Sequence, residues 1–163
     1  MPLAPAHLRY LLVQQGFVPA LFNFLLNSGL AWLGHRGQTA VSLTGSAGRA
    51  AVWAPGVLLP LLTCLIVVPL VRKDLEAGRI APLTGARWLA LALPPALLPR
   101  AVLVTALAFL VLVLPCWSAL GIAEVKAWPM PGFAWLMGGY CAVLAAVVTP
   151  LVAWRTLLEP ARA

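Results

Sequence analysis

Charge is scarce in this chain, and where it is missing matters most. Only 9% of the 163 residues are charged, 11 Lys or Arg and 4 Asp or Glu. None lies well inside the long apolar runs, where an ionisable group is the usual mark of a proton relay, an ion path or a voltage sensor. That argues against a proton-coupled pump. The acids Asp74, Glu76, Glu124 and Glu159 all fall near the ends of those runs. The two histidines, His7 and His35, are far apart, and Cys64, Cys116 and Cys141 form no C-x-x-C pair. Metal and redox sites need closer ligand spacing, so the cysteines read as small buried hydrophobes. No phosphate-binding loop, nucleophile motif or dinucleotide fingerprint appears. Catalytic residues, metal and cofactor are therefore all expected to be none.

Apolar residues fill the gap. They make up 63% of the chain, with a mean hydropathy of +0.98. A soluble domain is about 45–50% apolar, and a fold of this size could not bury the surplus. Part of the solvent is expected to be lipid, and the length suits one small membrane domain over residues 1–163. The net charge of +7 raises nucleic acid as a partner. That reading needs a clustered basic surface or a known module. Here the cations flank apolar runs, so the expected partners are membrane lipids and no nucleic acid.

A spanning helix takes about 20 mostly apolar residues. Four segments qualify, at about 10–34, 51–71, 101–121 and 132–154. Lipid offers the backbone no water, so each must be helical. The fold class is an all-α integral membrane protein, a four-transmembrane-helix bundle. The first span is interrupted by Gln14, Gln15, Asn23 and Asn27 and is followed by no clean cleavage site, so it reads as retained rather than as a signal peptide.

With both termini and the middle loop (about 72–100) on one side, that side holds eight of the cations and the other holds Arg36, Arg49 and Lys126. The positive-inside rule then places both termini in the cytoplasm. Trp32, Trp53, Trp117 and Trp128 mark one interface, and Tyr10, Trp88 and Trp154 the other. An Ala-, Leu-, Arg- and Pro-rich composition suggests a bacterial inner membrane. Within the middle loop, "GARWLALALPPALLPR" (85–100) is apolar but short, and Pro94 and Pro95 break it. An interfacial or re-entrant segment is expected there.

The second span, "RAAVWAPGVLLPLLTCLIVVPLVRKDLEAGR", and the fourth, "KAWPMPGFAWLMGGYCAVLAAVVTPLVAWRTLLEPAR", share an order of features. Each opens on a basic residue and Ala, then Pro-Gly, and carries a mid-span Cys. Each closes on Val-Val, Pro-Leu-Val, Arg and an acidic tail. Two duplicated helical hairpins, related by an axis along the membrane normal, would produce this, as would chance in so biased a composition.

The first span reads "FVPALFNFLLNSGLAWLG" over 17–34. Residues four apart drift only about 40° around a helix, so Gln15, Pro19, Asn23 and Asn27 form a slanting polar stripe. An amide facing hydrocarbon costs several kcal/mol, so the stripe must face protein or water. Either it bonds across helices, or it lines a cavity together with residues such as Thr63, Thr105, Ser118, Tyr140 and Thr149. On the fourth span Ala134, Gly138, Ala142 and Ala146 recur every four residues, a face on which helix backbones approach closely. Three functions are open. The first is a non-enzymatic accessory or assembly subunit, partnered by another membrane protein or a second copy. The next is a small permease or channel lined by the amides. The third is a lipid-modifying enzyme using Asp74 and Glu76 at the membrane interface.

Overall fold

The computed structural model describes residues 4–43, 45–83 and 93–158, and of residues 45–47 the backbone alone. Within them are four helices long and apolar enough to cross a membrane. Helix α1 is Pro5–His35, α2 is Gly45–Glu76, α3 is Leu97–Ile122 and α4 is Met130–Leu157. Each overruns the apolar run that announces it. Polar residues extend a helix for a turn once its hydrogen-bond ladder is running, and proline is tolerated at the first positions of α1 and α4. Helix α2 continues through Pro55, Pro60 and Pro69, and α4 through Pro150.

Helices α1 and α3 share a second effect of proline. Each contains a wider, π-helical stretch, Tyr10–Phe17 in α1 and Phe109–Val113 in α3. Each stretch ends two residues before a proline, Pro19 and Pro115. A proline ring collides with the carbonyl four residues back and offers it no N–H. Shifting the ladder to i+5 bonds relieves both problems.

The helices do not pack in chain order. Helix α1 lies along α4, α4 along α2, and α2 along α3, so the two even helices form the centre. The loops after α1 and α3 meet at one end of the bundle. There Ala40–Ser42 (β1) and Ala127–Pro129 (β2) pair antiparallel, with Val41 opposite Trp128. Bonds from Leu43 N to Lys126 O and from Met130 N to Thr39 O extend the ribbon. The start of α1, the end of α4 and the chain after α2 meet at the opposite, terminal end. His7 Nε2 lies 2.9 Å from the Ala81 carbonyl, and Leu83 N donates to Leu157 O at 2.8 Å.

Helix α2 stops where glycine permits it. Gly78 has φ +67, and the N–H groups of Gly78 and Arg79 donate back to Leu75 and Asp74. This double bond closes the last turn around a left-handed residue. Of the segment expected to be interfacial, 85–100, residues 85–92 lie outside the described residues. The described half is a bend at 93–96 followed by the first residues of α3.

Two apolar clusters fill the bundle. At the terminal end Cys64, Val68, Val71, Ala101, Val104, Val152, Ala153 and Leu157 close the contact between α2, α3 and α4. At the ribbon end Val41, Leu43, Met130, Phe133, Ala134 and Met137 pack under β1 and β2. Helix α1 contributes only Tyr10 and Leu11 to the buried members of these clusters. Only 6% of its most apolar window is buried, against 50% for α4.

Candidate functional site

The polar side chains expected to form one intramembrane stripe are spread over separate places. Gln15 lies beside the Tyr10 hydroxyl at the terminal end, where that hydroxyl donates to Asp74 Oδ2 at 3.0 Å. Asn23 and Asn27 sit further along α1, half-buried. Asn23 Nδ2 donates to the Pro19 carbonyl and Asn27 Nδ2 to the Asn23 carbonyl, each at 2.9 Å. These bonds run back along α1 itself, not across to a neighbour. An amide four residues beyond a carbonyl can reach it in the same way that Ser and Thr do. The pattern lets polar side chains live on a lipid-like surface without a partner helix.

Tyr140 is placed differently. From α4 it reaches across Gly56 of α2, and its hydroxyl donates to the Val52 carbonyl at 3.2 Å. A β-carbon on Gly56 would stand 2.6 Å from that hydroxyl and from Val113. The glycine is therefore what lets α2, α3 and α4 meet at this level. Thr105 of α3 is half-buried with its Oγ1 enclosed and without a hydrogen-bond partner, and Thr63 of α2 is half-buried.

The small-residue row on α4 divides along its length. Ala134 and Gly138 are buried, Ala142 is half-buried and Ala146 is exposed. A straight helix turns a four-residue row steadily away from a fixed neighbour. Gly138 is the tight point, since a β-carbon there would overlap Ser28 Oγ and stand 2.7 Å from the Phe24 carbonyl. Phe24 also stacks on Trp135, with ring centres 5.7 Å apart. This seam fastens α1 to α4.

Beside the seam an open groove of about 270 Å³ runs between α1 and α2, with α4 as its floor. Asn27, Ala31 and His35 line one wall, Ala51 and Pro55 the other, and Phe133 and Met137 the floor. The His35 ring meets Phe133 edge-on at 5.3 Å. Of the eight polar residues named for the stripe and its cavity, only Asn27 reaches this groove.

The most elaborate polar arrangement is at the terminal end. Arg100, in the first turn of α3, is fully buried, and Arg155, in the last turn of α4, is 4% exposed. The Arg100 guanidinium donates to the Pro94 carbonyl at 2.9 Å, the Pro95 carbonyl at 2.8 Å and Thr156 Oγ1 at 3.2 Å. Arg155 Nε donates to the Leu93 carbonyl at 3.1 Å. Two arginines thus hold three consecutive carbonyls of the chain entering α3. Arg155 sits favourably against the helix dipole and Arg100 unfavourably, so Arg100 depends on its acceptors. At the same end Asp74 accepts from Tyr10 and forms an ion pair with Arg79 at 2.9 Å.

The sequence counted Arg100 and Arg155 only as interface charges. The missed sign was Pro94-Pro95 itself. Two prolines directly before a helix leave carbonyls that no helical N–H can reach, and a long donor a turn later is the natural partner. Among the described residues, no three His, Cys, Asp or Glu side chains come together as metal ligands would. The chain matches no protein-family model, no curated protein and no solved structure.

Proposed function

We propose that this chain is a four-span integral membrane protein of a bacterial inner membrane, with both termini cytoplasmic, serving as a non-enzymatic accessory or assembly subunit. Its partner is another membrane protein. The observation that carries this reading is α1. Its stretch Val18–His35 contains no buried residue, and Phe17, Phe22, Leu25, Leu30, Trp32 and Leu33 are all more than half exposed. An apolar stretch that meets its own bundle along the α4 seam offers most of its surface to a partner helix. In lipid such association is driven by packing and polar contacts rather than by the hydrophobic effect. The half-buried Asn27 and the groove beside it supply both.

The polar groups support the same conclusion from another direction. Asp74, the strongest candidate for interfacial catalysis, is engaged by Tyr10 and Arg79. Asn23 and Asn27 spend donors on their own backbone, which suits a packing helix better than a solute pathway. The groove that reaches Asn27 and His35 is what favours the second reading, a small permease.

The bundle also fits two related hairpins, α1–α2 and α3–α4. The odd helices share the π-stretch before a proline, and the even helices share central position, Pro-Gly and a fully buried cysteine. The packing order α1–α4–α2–α3 reads the same from either end when the hairpins are exchanged. Antiparallel pairing of β1 with β2 is what an axis along the bundle would impose on equivalent loops.

Gentle release from the native membrane followed by native mass spectrometry tests the subunit reading. A reproducible second polypeptide is expected, lost when Leu25 and Leu33 are replaced by Ala. A chain that always leaves the membrane alone or as a homo-oligomer, carrying a small solute, moves the assignment to the permease.

A further inference from the structure

We infer that the cavity at the ribbon end binds the headgroup of a zwitterionic, ethanolamine-type phospholipid. The inference rests on the reading that the four helices cross a bilayer. The cavity has a volume of about 500 Å³ and lies between the start of α2, the end of α3 and the chain entering β2. Its apolar side is made by Leu43, Trp117 and Leu120, and its charged side by Arg49, Glu124 and Lys126. Arg49 from the start of α2 and Glu124 and Lys126 from the chain between α3 and β2 bring their charges to the same opening. Cavities that take polar-headed ligands combine a mainly apolar lining with a few such groups.

The depth suits a headgroup. Trp117 meets Trp53 edge-on with ring centres 6.3 Å apart, and tryptophans gather where hydrocarbon gives way to headgroups. The charged side chains lie beyond them, toward the ribbon, and are exposed. Just below, Val111 of α3 and Leu58 of α2 are exposed on the apolar flanks, where acyl chains would continue.

The charges select the class. Two cations beside one carboxylate match a phosphodiester joined to an ammonium: the phosphate oxygens accept from Arg49 and Lys126, and the ammonium donates to Glu124. A choline headgroup has the charge but no N–H to donate. A purely anionic headgroup leaves the carboxylate without a cation.

Glu124 carries the strongest hint. It has φ +50, the left-handed region, and occupies the same closing position in α3 that Gly78 occupies in α2. In both, the N–H groups of the left-handed residue and its successor donate back to the last turn. Glycine would close α3 with less strain, so the carboxylate is held there against the local preference. Strain of this kind at the mouth of a cavity points to a role for the side chain.

The test uses the full chain in detergent carrying an equimolar mixture of phosphatidylethanolamine, phosphatidylcholine and phosphatidylglycerol, read by native mass spectrometry. The ethanolamine lipid should be retained about tenfold over the choline lipid, the weight of one charge-assisted hydrogen bond. Glu124→Gln should abolish the preference while phospholipid is still retained. Arg49→Gln with Lys126→Gln should lose the retention, with helicity by circular dichroism unchanged in all variants. Equal retention of the three lipids, or a preference that survives Glu124→Gln, overturns the inference. Saturable binding of soluble O-phosphoethanolamine with no lipid enrichment overturns the lipid source. Alkaline extraction of native membranes separates the two failures. Protein released to the supernatant sinks the bilayer reading itself, whereas protein in the pellet without enrichment sinks the headgroup site alone.

Discussion

Replacing Arg100 with Met should be among the most damaging single changes in this bundle. The guanidinium is fully buried and donates to two carbonyls and one hydroxyl. Hydrogen bonds to a charged group contribute about 1.5–3 kcal/mol each. Thr156 Oγ1 keeps its own bond to the Val152 carbonyl when Arg100 is gone, so its loss is small. The Pro94 and Pro95 carbonyls are the groups left without a donor. Both are only partly buried, so water recovers some of their cost. A buried Met side chain returns about 1.5–3 kcal/mol of apolar burial. The net expectation is a loss of about 2–4 kcal/mol, with Arg100→Lys intermediate because an ammonium cannot present the planar fork. Reversible unfolding in mixed micelles, or steric trapping in bicelles, measures it. A double-mutant cycle with Thr156→Val should show a coupling of about 0.5–1.5 kcal/mol. A loss below about 1 kcal/mol for Arg100→Met would refute the reasoning, because water would then be doing the work assigned to the guanidinium.

Gly138→Ala places a β-carbon against Ser28 and the Phe24 carbonyl. Overpacking costs about 1–3 kcal/mol, and a spectral shift of Trp135, stacked on Phe24, should report the opened seam. Tyr140→Phe keeps the ring over Gly56 and removes only the bond to Val52, so unfolding should register a loss of about 0.5–1.5 kcal/mol. Glu124→Gly relieves a left-handed residue and should stabilise by about 1 kcal/mol, seen as a higher unfolding midpoint.

The four helices were legible because apolar runs of that length leave the backbone no alternative. Their neighbours were not. A helix apolar on every side has no stripe to show which face meets which partner, so nothing in α2 announced that it would sit between α3 and α4. The bonding of the amides was hidden for a related reason. A spacing of four puts Asn23 and Asn27 on one face, but it also puts each within reach of the carbonyl one turn back, and that is the bond they make. Arg100 was hidden because burial of a charge depends on acceptors whose folded positions the sequence does not display. The ribbon was missed because segments of three residues each gain their pairing only from the bundle that brings their loops together.

The two-hairpin reading makes the asymmetry between α1 and α3 the informative quantity. If exchanged by an axis, each should be covered equally by the even helix it packs on. In α3, 28% of the most apolar window is buried, against 6% in α1. The difference is local and chemical. Helix α3 is pinned at its start by Arg100 and at its end by the ribbon cluster through Leu120, while Val113 closes on Gly56 in its middle. Helix α1 keeps the proline and its π-stretch and is held at its start through Tyr10 and along the Gly138 seam, while Val18–His35 carries Asn23 and Asn27 and no buried residue. Amides satisfied by their own helix cost little in lipid and remain able to accept a bond from outside through their carbonyl oxygens. On the two-hairpin reading α1 is the outer helix left open, and its uncovered face is the one on which the proposed partner is sought.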